Sequence, residues 1–413
     1  MNLNAGAQAP EAGGAEHNAQ RSPVGSVRPA WPAWKPRLSR REGLRLEGGR
    51  RLYPTAAPAG PRQGPLVSYI TVVKNAASTL DRMLRSVAAQ TWPHVEHIVL
   101  DGLSTDGTLD IIARHADALD YFASAPDGGL YEALNNAIEC ATGDLICVLN
   151  ADDWLTPDAA ARVAHAHAHA HAHAHAHPHP PPHPHAEEPA ADARLWLSAA
   201  WVMEDHPGPG RVAGPHGQSQ TLWLPTRLTA AAVLSCANVC HNAVYATRAA
   251  YEASGPYRQD LRIAADFAWL VQCQRAGVRF DYLDQPTIHY SVGGMSSDKK
   301  RHTQDCVHVL RQQVPALSEA EAWGLLHCFH IYGENMLAYP HSKPAHHGKF
   351  LLDLAQRHAG DAYLMQALAL ASVARLAHPA DGRATGKLTP TEKLARSLHK
   401  RKLALRALWK RLA

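Results

Sequence analysis

The feature that most constrains the fold is a five-residue apolar run at 145–149, which reads LICVL and is followed by NADD at 150–153. A run of this length is too short for a helix and is typical of a strand buried on both faces of a sheet. Open α/β sheets bind their ligands at the carboxyl ends of their strands. The polar residues Asn150, Asp152 and Asp153 are therefore predicted to lie at a binding edge.

The adjacent carboxylates of Asp152 and Asp153 admit two interpretations. Two such groups repel each other and are tolerated where water or a hard cation shares their charge, and oxygen ligands of this kind suit Mg²⁺ or Mn²⁺ bound together with substrate phosphates. Alternatively, both residues face water and cap the helix that begins at Thr156 and Pro157. The four residues alone leave both interpretations open.

Strand-like and helix-like patterns alternate upstream of this run. Apolar runs at 66–73, 97–100 and 121–122 predict strands, and apolar residues at helical spacing near 80–87 and 109–119 predict helices between them. This βαβ order predicts a parallel sheet whose loops gather at the carboxyl ends of the strands. The Gly-rich motif of dinucleotide-binding folds is missing from the sequence.

Composition narrows the class of protein further. A chain of 413 residues, 46% of them apolar, allows two or three domains, and a net charge of +4 does not favour nucleic acid as a partner. An odd number of cysteines, seven, fits reduced thiols better than a disulfide framework. No apolar run is long enough to span a bilayer. We therefore expect a cytoplasmic protein.

Five short motifs stand in order along the first half of the chain: SYITVVKN at 68–75, DGLSTDGT at 101–108, PDGGLYEALN at 126–135, ATGD at 141–144 and LNADD at 149–153. Together they resemble glycosyltransferase family 2. The resemblance covers about 65–300 and extends to Asp266 and the GG-x-S loop at 293–296. The most similar branch assembles bacterial exopolysaccharide or lipopolysaccharide.

The resemblance implies an α/β protein with the GT-A fold, a mostly parallel central sheet flanked by helices, and a helical C-terminal extension. It also implies metal-dependent, inverting transfer of a sugar from a UDP- or GDP-linked donor to a hydroxyl of a glycan or lipid-linked acceptor, with Mn²⁺ or Mg²⁺ as cofactor. The alternative is a catalytically inactive protein of the same fold that binds a nucleotide sugar or a glycan.

The same resemblance assigns roles to individual residues. Asp152 and Asp153 are expected to bind the metal ion, and Asn150 replaces the first acid of the family's acid-any-acid motif. Asp266 is the candidate general base. Alternatively, its carboxylate only stabilises a helix N-terminus by interacting with the helix dipole. The residues expected to bind the nucleotide sugar are Thr71, Asn75, Asp101, Asp127, Asn150 and Asp152.

The rest of the chain divides into segments of distinct composition. Residues 1–64 and a His/Ala/Pro-rich insertion at 165–190 offer no face that can form a core, so both are predicted to be disordered. The pattern over 301–388 is helical. In the tail 389–413, Leu394, Leu398 and Leu405 lie on the apolar stripe of a basic amphipathic helix. This helix either lies on an anionic membrane surface or packs on its own domain.

Overall fold

The structure is a computed structural model that describes residues 38, 43–52, 62–174, 192–204, 219–224, 234, 239–292, 298–329 and 344–377. The predicted amphipathic helix at 389–413 lies outside the described residues. The same is true of residues 1–37 and of 175–190 in the His-rich insertion.

In the described part of the chain, ten strands form one sheet with the order β1-β4-β3-β2-β5-β9-β7-β10-β6, and β8 pairs with β7. Parallel pairing joins β4, β3, β2 and β5, and it also joins β10 to β7; the other pairs are antiparallel. The strands are β1 Leu46–Gly48, β2 Val67–Val73, β3 Val95–Asp101, β4 Tyr121–Ser124, β5 Leu145–Val148, β6 Trp154–Leu155, β7 Arg194–Glu204, β8 Ser219–Trp223, β9 Val244–Thr247 and β10 Arg279–Ser291.

Helices cover both faces of the sheet. Helices α1, α2 and α4 pack on one face, and α3, α5, α6 and the C-terminal helices pack on the other. The helices are α1 Leu80–Ala88, α2 Thr108–Arg114, α3 Leu130–Cys140, α4 Ala159–Ala174, α5 Arg248–Ser254, α6 Ala265–Arg275, α7 Lys299–Gln313, α8 Glu319–Phe329, α9 Pro344–Arg357 and α10 Ala362–Ala377.

The predicted α/β fold, with helices on both sides of a central sheet and helices at its C-terminal end, is confirmed. The run that predicted a buried strand forms β5, in which every residue is buried. β5 lies between β2, its parallel neighbour, and β9, its antiparallel neighbour. Because both faces of β5 are covered by helices, a continuous apolar sequence is stable there. No helix in the described ranges is long and apolar enough to cross a membrane.

Part of the segment predicted to be disordered, 1–64, belongs to the sheet. Strand β1 pairs antiparallel with β4, so residues 46–48 are ordered. Just after β1, Arg51 forms an ion pair of 2.5 Å with the buried carboxylate of Glu96 and donates a hydrogen bond to the carbonyl of Cys140. These contacts are tertiary, so a local sequence pattern does not reveal them.

The first part of the insertion at 165–190 is also ordered, although the sequence predicts disorder from residue 165 onward. Helix α4 continues through the His-Ala repeat as far as Ala174. His165 packs edge-on against Trp92 with ring centroids 5.5 Å apart, and His167 is buried. A helix that has already begun propagates readily through alanine, the residue with the highest helix propensity, and this explains the difference from the prediction.

Candidate active site

The loops that follow β2 and β3 are tied together at the carboxyl edge of the sheet. Asn75 adopts a left-handed conformation with φ of 55°, which asparagine tolerates better than most residues. Its backbone N–H donates to Ser104 Oγ at 2.7 Å, and its side-chain Oδ1 accepts from the Thr105 N–H at 2.9 Å. Asn75 is exposed, so the structure places this predicted site residue on the rim.

Asp101 ends β3 and is only 3% exposed. Its Oδ2 accepts hydrogen bonds from the Ser104 N–H at 3.0 Å and from Ser124 Oγ at 2.6 Å. Its Oδ1 is buried and has no hydrogen-bond partner among the described residues. A buried carboxylate oxygen without a partner is costly, so this atom is available to a donor group on a ligand.

Asp127 joins the same rim from the loop between β4 and α3. A Cβ built on Gly102 would lie 2.6 Å from Asp127 Oδ2 and 3.6 Å from the Cδ atom of Lys74. The loops after β2, β3 and β4 therefore meet around Gly102, and a larger residue there would require the Asp127 side chain to move. The structure thus brings Asp127 close to Asp101 and Asn75, as the sequence predicts.

Thr71, unlike Asn75, Asp101 and Asp127, does not lie at the rim. Its side chain is fully buried within β2, and its hydroxyl donates to the carbonyl of Leu149 at 2.9 Å. The structure therefore places Thr71 inside the sheet and away from the rim, and its part in nucleotide binding stays a prediction from the sequence. The hydroxyl instead fixes the end of β5 immediately before Asn150, which is exposed at the rim.

Asp152 and Asp153 differ sharply in environment. Asp153 is 1% exposed, and its two carboxylate oxygens accept hydrogen bonds from the Asn242 side-chain amide and from the Ser291 N–H, the latter at 2.7 Å. Asp152 is partly exposed, and its carboxylate has no hydrogen-bond or ion-pair partner among the described residues. The expectation that both side chains lie at the exposed end of the strand is therefore wrong for Asp153.

Burial raises the pKa of Asp153 to about 8, and the neighbouring charge of Asp152 adds to the rise. The hydrogen bonds from Ser291 and Asn242 and the charge of Arg82 lower the pKa, but they do not outweigh burial. A cation beside the two carboxylates would favour the ionised form of both.

The residues around this acidic pair only partly fit a metal ion. No group of three or more His, Cys, Asp or Glu side chains in the described ranges is arranged to hold one. Mg²⁺ commonly takes one or two carboxylates and completes its shell with water and substrate phosphates. Asp152 fits that pattern because its carboxylate is accessible. Asp153, whose oxygens are both already engaged, fits a supporting position better than that of a direct ligand.

Several residues around the acidic pair were not predicted from the sequence. Arg82 lies with its guanidinium 3.7 Å from the ring centroid of Trp154 and donates to the Asp152 carbonyl at 2.9 Å. The ring of Trp154 also stacks with that of His289, and the two ring centroids lie 4.9 Å apart. No local pattern indicates Arg82. Asn242, by contrast, lies within 65–300, the part of the chain to which the sequence resemblance extends.

Asp266 lies in the first turn of α6, and its Oδ1 accepts from the Phe267 N–H at 2.8 Å. Burial lowers the pKa of His241, and the nearby charge of Asp266 opposes that shift. His241 immediately precedes Asn242, the residue bonded to Asp153, and its Nε2 lies 2.7 Å from the hydroxyl of Tyr257. The short turn at 241–243 therefore connects the surroundings of Asp266 with those of the acidic pair.

Comparison with known proteins agrees with this arrangement. A model of the family described as glycosyl transferase family 2 matches residues 68–188. An uncharacterized glycosyltransferase of Mycobacterium tuberculosis is 40% identical over 100 residues, which cover 24% of this chain and 38% of the relative. A PGL/p-HBAD biosynthesis glycosyltransferase of the same species is 27% identical over 213 residues, 51% of this chain and 70% of the relative.

Among solved structures, a mannosyltransferase from Pyrobaculum calidifontis in complex with GDP-Man and Mn²⁺ is similar, with 18% identity, coverage of 80% of this chain and 93% of that chain, and a TM-score of 0.43. The match to the first M. tuberculosis relative spans less than half of that protein's length. The family model includes the loops that carry Asn75, Asp101, Asp127 and Asp152. Over residues 68–188, the chain matches the model of glycosyltransferase family 2.

Proposed function

We propose that this protein transfers a sugar from a nucleoside diphosphate donor to a hydroxyl group of a glycan or lipid-linked acceptor. The transfer inverts the anomeric carbon and uses Mn²⁺ or Mg²⁺. The family match supports sugar transfer, because both M. tuberculosis relatives are named glycosyltransferases. The geometry of the rim supports the binding of a nucleotide sugar.

The observation that carries the proposal is the unpaired oxygen of Asp101. Its Oδ1 is buried without a hydrogen-bond partner in the described part of the chain, whereas Oδ2 is held by Ser104 and Ser124. A rigidly held carboxylate with one free acceptor suits an N–H of a nucleobase or a hydroxyl of ribose. Asn75 and Asp127 flank this position, so the sugar end of the donor would lie toward Asp127 and Asp152.

Asp152 is the residue that would hold the cation, with Asp153 behind it. A divalent cation there would neutralise the negative charge that develops on the departing diphosphate. Asp153 fixes the loop from a buried position through its hydrogen bonds with Asn242 and Ser291. The exposed Asn150 would contact the donor from the same loop.

The acceptor needs a base, and Asp266 supplies it in this proposal. As the acceptor oxygen forms its bond to the anomeric carbon, the bond from that carbon to the diphosphate oxygen breaks, and the hydroxyl proton passes to the Asp266 carboxylate. Two other acids in this half of the chain are already engaged in ion pairs. Asp260 forms an ion pair with Arg258, and Asp281 forms one of 2.5 Å with Arg194.

The test is a panel of UDP- and GDP-linked sugars in the presence of Mn²⁺, with release of the nucleoside diphosphate as the readout. Asp266→Asn should lower kcat by about two to four orders of magnitude, the usual contribution of a general base. Its affinity for the nucleoside diphosphate should stay within about two-fold of wild type, because the donor contacts come from other loops.

Asp260→Asn is the matched control, because Asp260 lies in the loop before α6 but is exposed and ion-paired. It should retain near-normal turnover. If Asp266→Asn retains turnover, or loses it only in proportion to donor affinity, Asp266 is not the base. A wild-type protein that binds donors but releases no diphosphate with any acceptor would instead be a binding protein.

A further inference from the structure

Helix α6, which carries Asp266, has no N-terminal cap of its own. Its N-cap residue is Ala264, which offers no side-chain hydrogen bond. The first N–H groups of a helix have no partner within the helix and must find one elsewhere. In the first turn of α6, the Ala265 N–H donates to the Tyr131 hydroxyl and the Phe267 N–H donates to Asp266 Oδ1, while the segment 262–264 that leads into the helix is bonded by a residue of a different helix.

Asp305, on α7, bonds the three residues that immediately precede α6. A single carboxylate oxygen, Oδ2, accepts hydrogen bonds from three successive backbone N–H groups, those of Arg262, Ile263 and Ala264 at 3.0, 2.8 and 3.2 Å. A negative charge at a helix N-terminus is also favoured by the helix dipole. Asp305 therefore holds the segment 262–264 from one side.

Tyr131 holds the same segment from the other side. Its hydroxyl donates to the carbonyl of Ile263 at 2.5 Å and accepts from the Ala265 N–H at 3.3 Å. Burial raises the pKa of Tyr131 beyond its ordinary range, and the nearby charge of Asp266 raises it further. The carboxylate of Asp266 thus lies close to the residue that fixes its helix.

Tyr131 also lies next to one of the loops that we propose to bind the nucleotide-sugar donor. It lies in the first turn of α3, directly after the loop that carries Asp127. The hydroxyl of Tyr131 therefore connects the Asp127 loop to the start of α6. Movement of either element would disturb the other through the two hydrogen bonds of this hydroxyl.

We propose that Tyr131 and Asp305 are positioning residues that hold the segment 262–265 and so fix the direction of the Asp266 carboxylate toward the acceptor. This inference rests on the proposed transferase function. Neither residue is required to touch donor or acceptor. A misplacement of a reacting group by about 1 Å costs roughly 100-fold in rate, so loss of either contact should act mainly on kcat.

The decisive experiment is a pair of double-mutant cycles, Tyr131→Phe and Asp305→Ala each combined with Asp266→Asn. Turnover is followed by diphosphate release from the most active donor of the panel. In the wild-type background we expect kcat to fall about 10- to 100-fold for each single variant, with donor KM and diphosphate affinity within about two-fold. In the Asp266→Asn background neither change should lower kcat further, because residues that act through one group are not additive.

Asp298→Ala is the matched control for α7. Asp298 caps that helix by accepting from the Arg301 N–H at 3.1 Å, and it makes no hydrogen bond to the segment 262–265. Asp298→Ala should lower the free energy of unfolding but leave kcat near the wild-type value. Asp305→Asn, which keeps an acceptor oxygen, should recover part of the lost turnover.

Two results would overturn the proposal. One is a fall in kcat of the same size in both backgrounds, which means that Tyr131 and Asp305 act independently of Asp266. The other is unchanged hydrogen exchange at the amides of 262–265 in Tyr131→Phe and Asp305→Ala. The exchange measurement needs no substrate, so it separates failure of this inference from failure of the transferase proposal, in which the wild-type protein releases no diphosphate.

Discussion

The side-chain amide of Asn242 donates a hydrogen bond to the buried carboxylate of Asp153, which lies 89 residues earlier in the chain. This bond joins the turn at 241–243, in the second half of the sheet, to the acidic loop after β5. Together with the Ser291 N–H, it occupies both oxygens of Asp153. The adjacent Asp152 is left as the accessible acid of the pair.

We therefore expect Asp152→Ala and Asp153→Ala to have different effects. Asp152→Ala should abolish Mn²⁺-dependent binding of UDP or GDP and change the free energy of unfolding by less than about 0.5 kcal/mol. Asp153→Ala leaves the buried amide of Asn242 and the partly buried N–H of Ser291 without this partner and should destabilise the protein by about 2–4 kcal/mol. Calorimetry and urea denaturation of both variants measure the difference, and equal stability losses would contradict it.

Stability should fall below pH 6.5 because of His97. This side chain is 3% exposed, and burial lowers its pKa to about 3. In the unfolded chain, histidine binds a proton near pH 6.5, so between pH 6.5 and 3 the unfolded state binds more protons than the folded state. The contribution is complete above pH 6.5 and is lost as the pH falls toward 3.

The loss amounts to about 1.4 kcal/mol per pH unit, or about 2 kcal/mol between pH 6.5 and 5. Urea denaturation of the wild type and of His97→Gln over that pH range isolates the contribution of His97 to the free energy of unfolding. The substitution carries a pH-independent cost of its own, so the quantity to compare is the slope. A His97→Gln slope as steep as that of the wild type would show that other groups are responsible.

Two deletions compare how much the helical part of the His-rich insertion, which ends at Ala174, and the part after it contribute to stability. Removal of 175–188 begins after the last residue of α4 and should leave thermal stability unchanged. Removal of 166–185 also takes away Ala166, His167 and Ala170, which pack against the core or are buried, and should cost about 1–2 kcal/mol. Equal melting temperatures for the two deletions would mean that this part of α4 contributes nothing.

The membrane interpretation of 389–413 stays a prediction from the sequence. Truncation after residue 388 should weaken binding to vesicles that contain anionic lipid, because each basic residue near such a surface contributes about 1 kcal/mol. The interaction should weaken steeply between low and physiological salt. Flotation of the full-length and truncated proteins with these vesicles measures the effect. Identical partitioning at low salt would favour a helix that packs on its own domain.

The sequence by itself determined the strands of the parallel core and the location of the rim. Continuous apolar runs bounded by polar loops fold as buried strands because both faces of the sheet are covered, and the carboxyl ends of parallel strands meet at one edge. Asn75, Asp101, Asp127 and Asp152 therefore reach the same edge. Their positions follow from local pattern and strand direction alone.

Only the tertiary structure decided which of these side chains remain free. Thr71 and Asp153 belong to the same motifs as their neighbours, but contacts from Leu149, Asn242 and Ser291 occupy their polar atoms. The same holds for Asp305, which reaches the start of α6 from another helix. Local pattern fixes the face on which a residue lies, whereas burial and hydrogen-bond partners depend on segments distant in sequence, and these decide whether a carboxylate supports the fold or can bind a ligand.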